Sequence, residues 1–291
     1  GSLLIFSAAL ALAGLFAGCG GGAPVHRGGE VPRGEETSSA DAEAAAREAG
    51  IRPVEMQVPP TEIETTESIG GTRYAVVIVA DRFANLNGWS LAGPAEAALG
   101  QLRTIFTETL GVANDNLIVV RGEEVTTDAV RSTLVNTLSE RIEGGGNTVT
   151  LYWFGHGVTM DEQVHLFPYF AQRDGDRFTG TIAHRDLGSW LAQLRQRLRD
   201  KEADARIVSI IDACRVPVMG FTGQARLEAV SDVDIFSAAD GQFAEAGVFT
   251  EAFTNSIRTE ARSADTIWLD RVFDATQRAV AERANDEQVP E

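Results

Sequence analysis

The sequence predicts an α/β fold in which helices cover both faces of a mostly parallel sheet. Residues 74–80 (YAVVIVA) are a continuous apolar run with β-branched residues, typical of a strand that is buried on both faces, and residues 206–211 (RIVSII) predict a further strand. Segments with helical spacing alternate with such runs, as in parallel sheets with crossover helices. The chain of 291 residues is 44% hydrophobic, which is enough to form a full core.

The predicted elements follow one another from residue 74 onward. The first strand precedes a helix at 94–110, whose residues Ala95, Leu99, Leu102, Ile105, Phe106 and Leu110 fall on one side. A short strand at 117–120 leads to a second helix at 126–141, with Thr126 or Thr127 as its cap. We then expect strands at 148–154, 206–211 and 233–237, and helices at 186–198, 249–257 and 267–284. In such sheets, functional residues collect beyond the carboxyl ends of the strands.

The N-terminal segment predicts a secretory signal. Residues 3–18 are apolar and uncharged, but they are shorter than the roughly 20 residues that cross a bilayer. The sequence Phe16-Ala17-Gly18-Cys19 resembles a bacterial lipobox, with Phe16 where Leu is usual. The resemblance implies that Cys19 is lipidated, which would anchor the chain in the bacterial cell envelope. An ordinary signal peptide or anchor helix with an incidental cysteine is the alternative.

Residues 20–70 predict a flexible acidic tether. They contain five of the nine prolines, no Phe, Trp or Tyr, and 10 acidic against 4 basic residues. Such a segment buries too little apolar surface to offset the entropy lost on ordering. We therefore assign residues 1–19 to the signal, 20–70 to the tether and 71–291 to the folded domain.

The net charge argues against two classes of partner. The chain has 42 acidic and 25 basic residues and a formal charge of −17. Nucleic-acid binding without sequence preference depends on Lys and Arg contacts to phosphate, and docking on anionic lipid depends on basic clusters. We expect no nucleic-acid partner and no membrane contact except through a lipid.

Two predicted strands end in reactive residues. The strand at 148–154 runs into Gly155-His156-Gly157, and the strand at 206–211 runs into Asp212-Ala213-Cys214. An imidazole favours the thiolate of a nearby cysteine, which is its nucleophilic form. Flanking glycines let the backbone approach a ligand closely and leave its N–H groups free. Either residue alone is more often structural: a buried cysteine packs as a small apolar group, and a histidine between glycines fits a turn.

These segments resemble the caspase-like cysteine peptidases, specifically the bacterial metacaspase and orthocaspase branch. The resemblance covers residues 73–257. It rests on residues 152–157 (YWFGHG), where Phe154 replaces the family's Ser, and on residues 210–215 (IIDACR). Residues 236–240 (FSAAD) and 247–250 (GVFT) resemble the start of the family's small subunit. The implied fold is a caspase-like three-layer sandwich.

The resemblance implies a role for each matching residue. Cys214 attacks the scissile carbonyl, and His156 acts as general base and acid. The backbone N–H groups of Gly157 and Cys214 form the oxyanion hole. Asp212 binds a substrate Arg or Lys in the first specificity pocket, and Asp81 is either a second wall of that pocket or a solvated turn carboxylate. No third catalytic residue is evident.

Two further expectations concern how the protein is activated and whether it binds a metal. Residues 216–232 have no clear helical or strand period and contain Arg226, so we expect a surface loop in which the enzyme cuts itself after Arg226. A loop that covers the site and stays whole is the alternative. We expect no metal: Asp161, Glu162, Asp174 and Asp176 do not follow the spacing of a calcium loop, although some metacaspases bind calcium.

The sequence thus predicts a cysteine endopeptidase that cuts proteins or peptides after Arg or Lys. Gingipain-like or clostripain-like proteases, which have the same His-then-Cys order, are an alternative within enzymes. A non-catalytic lipoprotein that uses the fold as a binding module is the alternative outside enzymes.

Overall fold

The computed structural model describes residues 71–218, 229–264, 266–284 and 288–291, and its centre is a sheet of five parallel strands. The strands in chain order are β1 (Arg73–Val79), β2 (Leu117–Arg121), β3 (Asn147–Phe154), β4 (Gly157–Met160), β5 (Gln163–Leu166), β6 (Gln172–Asp174), β7 (Arg177–Thr179), β8 (Ile182–Ala183), β9 (Ala205–Asp212) and β10 (Val233–Phe236). The helices are α1 (Ala92–Thr104), α2 (Thr127–Ser132), α3 (Leu138–Arg141), α4 (His184–Asp200), α5 (Val248–Ser263) and α6 (Leu269–Arg283). The central sheet has the order β10-β9-β3-β1-β2.

Both faces of the central sheet are buried, as the apolar runs predict. Along β1, Val76 and Ile78 pack into one core, while Ala75 and Val77 pack into another on the opposite face. Alternate side chains of a strand point to opposite faces, so a strand buried on both needs a continuous apolar run. Helices α2, α3 and α4 cover the first face, and α1, α5 and α6 cover the second. The three-layer α/β architecture is confirmed.

Most observed elements begin and end within two residues of the predicted ones, but α5 continues to Ser263, six residues beyond the predicted end at 257. The Thr126 side chain caps α2 by accepting a hydrogen bond from the Ala129 N–H at 3.1 Å, as expected for an N-cap threonine. The two early helices are less regular than predicted. Helix α1 continues as a π-helical turn over Ile105–Thr109, and another π-helical turn over Thr133–Thr137 joins α2 to α3.

A small antiparallel sheet lies between β3 and α4, where the sequence indicates only a loop and hairpin. Strands β4, β5 and β8 form it, and β6 and β7 form a separate hairpin. Its strands have two to four residues, too few for a period of two to be recognised. Phe167, Val158 and Phe178 form a separate apolar cluster beneath it.

The proposed signal, Cys19, the tether and Arg226 lie outside the described residues. Within the described residues, no helix is both long and apolar enough to cross a membrane.

Candidate active site

The register between β3 and β9 brings the two sequence motifs to the same edge of the sheet. Phe154 is the Cα partner of Asp212, the last residue of each strand. The Gly155 N–H donates to the Asp212 carbonyl oxygen at 3.1 Å. The prediction that this N–H is free for a ligand is therefore wrong. The segments that contain His156 and Cys214 therefore leave the sheet side by side.

His156, Asp212 and Cys214 line one cavity. Its free volume is only about 10 Å³, close to the room that one water molecule needs. The remaining lining residues are mostly small or apolar: Leu91, Phe154, Gly155, Ala213, Ala244 and Ala246. The structure thus assembles a base, a carboxylate and a sulfur at one narrow, mainly apolar site.

His156 is held by the loop between β1 and α1. Its Nε2 atom lies 2.8 Å from the carbonyl oxygen of Trp89, and its ring packs edge-on against the Trp89 indole. A carbonyl oxygen only accepts hydrogen bonds, so Nε2 carries the proton and Nδ1 of the neutral ring keeps a lone pair. Burial lowers the pKa of His156 to about 4, and the bond to Trp89 opposes this shift. The imidazole is therefore neutral at neutral pH.

Cys214 follows β9 and is 6% exposed. Its Sγ atom lies 3.4 Å from the backbone N of Ala244, which donates to it. The preceding residue is fixed as well, because the Ala213 N–H donates to Ser237 Oγ at 3.1 Å. Residues that follow β10 therefore support the Cys214 segment.

Both glycines beside His156 are required by close packing. A Cβ atom on Gly157 would lie 2.7 Å from the carbonyl oxygen of Cys214, and one on Gly155 would lie 2.9 Å from the Ala80 side chain. Strand β4 begins at Gly157 and passes directly over the Cys214 backbone. Close approach to a ligand is the role that the sequence predicts for these glycines, whereas in the structure they make room for other segments of the chain itself.

Asp212 is 3% exposed, and hydroxyl groups hold its carboxylate. Its Oδ2 atom accepts a hydrogen bond from Thr250 Oγ1 at 2.6 Å, and Thr250 Oγ1 lies 2.9 Å from the Tyr152 hydroxyl. Burial raises the pKa of Asp212 to about 6, while hydrogen bonds from Thr250 and Ser237 lower it. At neutral pH the carboxylate is mostly charged.

Arg215, the residue after Cys214, is buried at 1% exposure. Its guanidinium donates to the Ala238 carbonyl oxygen at 3.2 Å, pairs with Glu291 and lies 4.8 Å from the centre of the Phe236 ring. Glu291 exchanges two backbone hydrogen bonds with Phe236, the pattern of an antiparallel strand pair. The last described residues therefore support the far side of the Cys214 segment.

The structure does not place Asp81 along the cavity described above. Asp81 is completely buried, and its Oδ2 atom binds the guanidinium of Arg121 at 2.9 Å. Its backbone carbonyl accepts hydrogen bonds from the Leu91 N–H at 3.0 Å and from Ser90 Oγ at 3.2 Å. These contacts close the base of the loop that presents Trp89 to His156.

No cluster of three or more metal-ligating side chains occurs in the parts of the chain that the structure describes. Of the carboxylates considered for calcium, Asp161 pairs with Arg177. His165 Nδ1 lies 2.9 Å from the Thr181 hydroxyl. The charge of Asp161, in the turn after β4, is therefore compensated by an arginine of β7.

Two groups that contact the predicted site residues were not identified from the sequence: the Trp89 carbonyl and the Thr250 hydroxyl. The Trp89 contact uses a backbone carbonyl, and no residue type signals which carbonyl will face a histidine. Thr250 lies in the 247–250 segment that resembles the small-subunit start, but its contact with Asp212 depends on how α5 packs against the sheet.

The model of the caspase domain family matches residues 72–291, nearly the whole described part of the chain. No curated protein matches the sequence.

Proposed function

Because this chain belongs to the caspase domain family, we propose that it is a cysteine endopeptidase that cuts after Arg or Lys. The observation that supports this proposal most directly is the shared cavity of His156, Cys214 and Asp212. The first two residues are a base and a nucleophile, and the third is an anion in a mainly apolar setting. Family membership by itself supports cysteine peptidase chemistry and protein substrates.

In the proposed mechanism, His156 and Cys214 share the chemistry as a dyad. The Trp89 carbonyl keeps the His156 proton on Nε2, which leaves Nδ1 to take the thiol proton of Cys214. The thiolate then attacks the scissile carbonyl carbon, and the imidazolium returns the proton to the leaving amine. Water hydrolyses the resulting thioester and regenerates the thiol.

The oxyanion that forms during attack needs hydrogen-bond donors. We assign this role to the backbone N–H groups of Gly157 and Cys214. This assignment is supported by the short distance between the two residues, because the Gly157 backbone lies against the Cys214 carbonyl. Fixed donors at this position stabilise charge that develops only in the transition state.

Asp212 is the proposed contact for a basic substrate side chain. In a mainly apolar pocket, an unpaired charge is costly, so a buried carboxylate favours a cation and rejects an acidic side chain. We leave Asp81 out of this contact, since Arg121 already compensates its charge. The cavity is too small for an arginine side chain, so binding requires that its walls move apart.

A fluorogenic peptide panel with Arg, Lys, citrulline or Asp before the scissile bond tests the proposal. Under reducing conditions, wild type should cut the Arg and Lys peptides, while Cys214→Ala and His156→Ala should be inactive. Cys19→Ser is the matched control and should retain activity. Undiminished cleavage by Cys214→Ala would refute the dyad, cleavage after Asp would refute the pocket, and inactivity of wild type would favour a binding module.

Three further parts of the proposal concern activation, cofactors and location. We expect self-cleavage after Arg226, which mass spectrometry would detect as a fragment beginning at Leu227 that is absent from Cys214→Ala.

We propose no required cofactor, so EDTA should leave activity unchanged; a loss restored by Ca²⁺ would show calcium activation. We place the protein in the bacterial cell envelope through lipid on Cys19, and Cys19→Ser should abolish labelling by a fatty-acid probe.

A further inference from the structure

The Asp212 carboxylate is the end of a directed chain of buried hydrogen bonds. Thr250 Oγ1 donates its proton to Asp212 Oδ2 at 2.6 Å, so its oxygen must accept from the Tyr152 hydroxyl at 2.9 Å. Thr250 and Tyr152 are both completely buried. The chain therefore runs from β3 through the first turn of α5 to the cavity.

No cation of the described residues accompanies this carboxylate. Tyr152 faces it from β3, Thr250 faces it from α5, and Ser237 faces it from the segment after β10. His156 and Cys214 line the same cavity. Buried carboxylates are ordinarily paired with a cation, and here only hydroxyl and N–H groups hold the charge. A basic substrate side chain would supply the missing cation once the cavity walls move apart.

We propose that Thr250 is a specificity-determining positioning residue: its hydroxyl keeps the Asp212 carboxylate charged and aimed into the cavity, where it meets a basic substrate side chain. This inference rests on the proposed function, because it presumes that Asp212 binds the substrate cation. Thr250 itself contacts Asp212 and not the substrate.

The physical reason is competition between burial and hydrogen bonding. Burial favours the neutral acid, whereas a hydroxyl donor and a helix N-terminus favour the carboxylate. Thr250 supplies both through its side chain and its place in the first turn of α5, and both its contacts lower the pKa of Asp212. Without the hydroxyl, the pKa of Asp212 rises, so the side chain stays neutral up to a higher pH. A neutral Asp212 does not prefer a cation.

The test compares Thr250→Val with Thr250→Ser. Valine has nearly the shape of threonine without the hydroxyl, and serine keeps the hydroxyl. The measurement is the ratio of kcat/KM for an Arg peptide to that for a citrulline peptide between pH 5 and 9. Citrulline is a neutral analogue of arginine, so any titration that changes the chemical step affects both substrates and cancels in the ratio.

In wild type, we expect the ratio to rise with a midpoint near the Asp212 pKa of about 6. Thr250→Val should move that midpoint up by about one pH unit, the shift expected for one lost hydrogen bond to a charged group. At pH 6 its ratio should be about fivefold lower than in wild type, and at pH 8.5 the difference should be under about twofold. Thr250→Ser should keep the wild-type midpoint.

The outcomes separate the two proposals. A wild type with no preference for Arg over citrulline overturns the proposed specificity. A wild type with that preference, combined with unchanged midpoint and ratio in Thr250→Val, overturns the role of Thr250. Tyr152→Phe leaves Thr250 intact and should move the midpoint in the same direction by a smaller amount. If Thr250→Val does not fold, an unmoved midpoint in Tyr152→Phe overturns the inference.

Discussion

The Nε2 atom of His156 lies 2.8 Å from the carbonyl oxygen of Trp89, and this backbone contact fixes the tautomer of the imidazole. In many hydrolases an acidic side chain orients the catalytic histidine. Here a neutral carbonyl occupies that place, and its hydrogen bond only partly opposes the lowering of the His156 pKa by burial. The histidine is consequently a weak base in the free protein, and its partner is set by a loop conformation.

The pH dependence should differ between basic and neutral substrates. His156 has a pKa of about 4 and stays neutral above pH 5, while Asp212 has a pKa of about 6 and loses its charge as the pH falls through that value. Cleavage of the Arg peptide should therefore decline below pH 6, and cleavage of the citrulline peptide should not decline there. Steady-state kinetics from pH 4.5 to 8 checks this. A shared decline near pH 6.5 would assign the acid limb to a histidine of ordinary pKa.

Stability should respond to the same two groups with opposite signs. The neutral His156 contributes stability above pH 6.5 that is lost as the pH falls toward 4, because its folded pKa is lowered. Asp212 contributes stability at pH values below 3.8 that is lost as the pH rises through about 6, because its folded pKa is raised. Each effect amounts to about 3 kcal/mol, so the two nearly cancel in wild type.

Single substitutions of His156 and Asp212 should separate the contribution of each group to the dependence of stability on pH. Asp212→Asn should raise the free energy of unfolding at pH 7.5 by up to about 3 kcal/mol over wild type, with little difference at pH 4. His156→Gln should flatten the acid loss and leave a protein that is relatively more stable at pH 4.5. Urea unfolding at both pH values measures this. A destabilised Asp212→Asn at pH 7.5 would contradict the cost of burying this charge.

Gly157→Ala should disrupt the site. Its Cβ atom would lie 2.7 Å from the Cys214 carbonyl oxygen, a backbone atom that cannot move without the nucleophile. We expect a loss of about 1 to 3 kcal/mol in stability and at least about tenfold in kcat/KM. Gly100→Ala in α1 is the control, since its Cβ meets nothing within 4 Å and alanine gains up to about 1 kcal/mol in a helix. Equal activity of the two variants would refute the close approach.

Asp81→Asn should weaken the fold and leave the preference for Arg over citrulline unchanged. The Asp81 carboxylate is buried against Arg121, so replacing it with a neutral amide should lower stability by about 1 to 3 kcal/mol. The backbone carbonyl of residue 81, which anchors the loop that contains Trp89, is kept in this variant. Glu96→Gln removes the exposed partner of the same Arg121 and should change stability by less than about 1 kcal/mol. A selective loss of Arg cleavage in Asp81→Asn would instead make it a pocket wall.

The sequence by itself determined the layers and the edge at which the site lies. Residues 74–80 are a continuous apolar run, which forms a strand only when both faces are covered. Helical segments alternate with this strand and the later ones, so the sequence predicts a parallel sheet between helices. His156 and Cys214 each follow such a strand, and parallel strands present their carboxyl ends together. These features depend on local composition and spacing, which a sequence shows directly.

The groups that surround the two reactive residues depend on long-range packing, and they are evident only from the tertiary structure. The Trp89 carbonyl reaches His156 because the loop from 80 to 91 closes on Asp81, and Thr250 reaches Asp212 because α5 packs across the end of β9. Asp81 turned toward Arg121 for the same kind of reason, since a buried carboxylate binds the cation that packing brings nearest. Backbone carbonyls and long-range pairs have no sequence period, so they become visible only once the chain is folded.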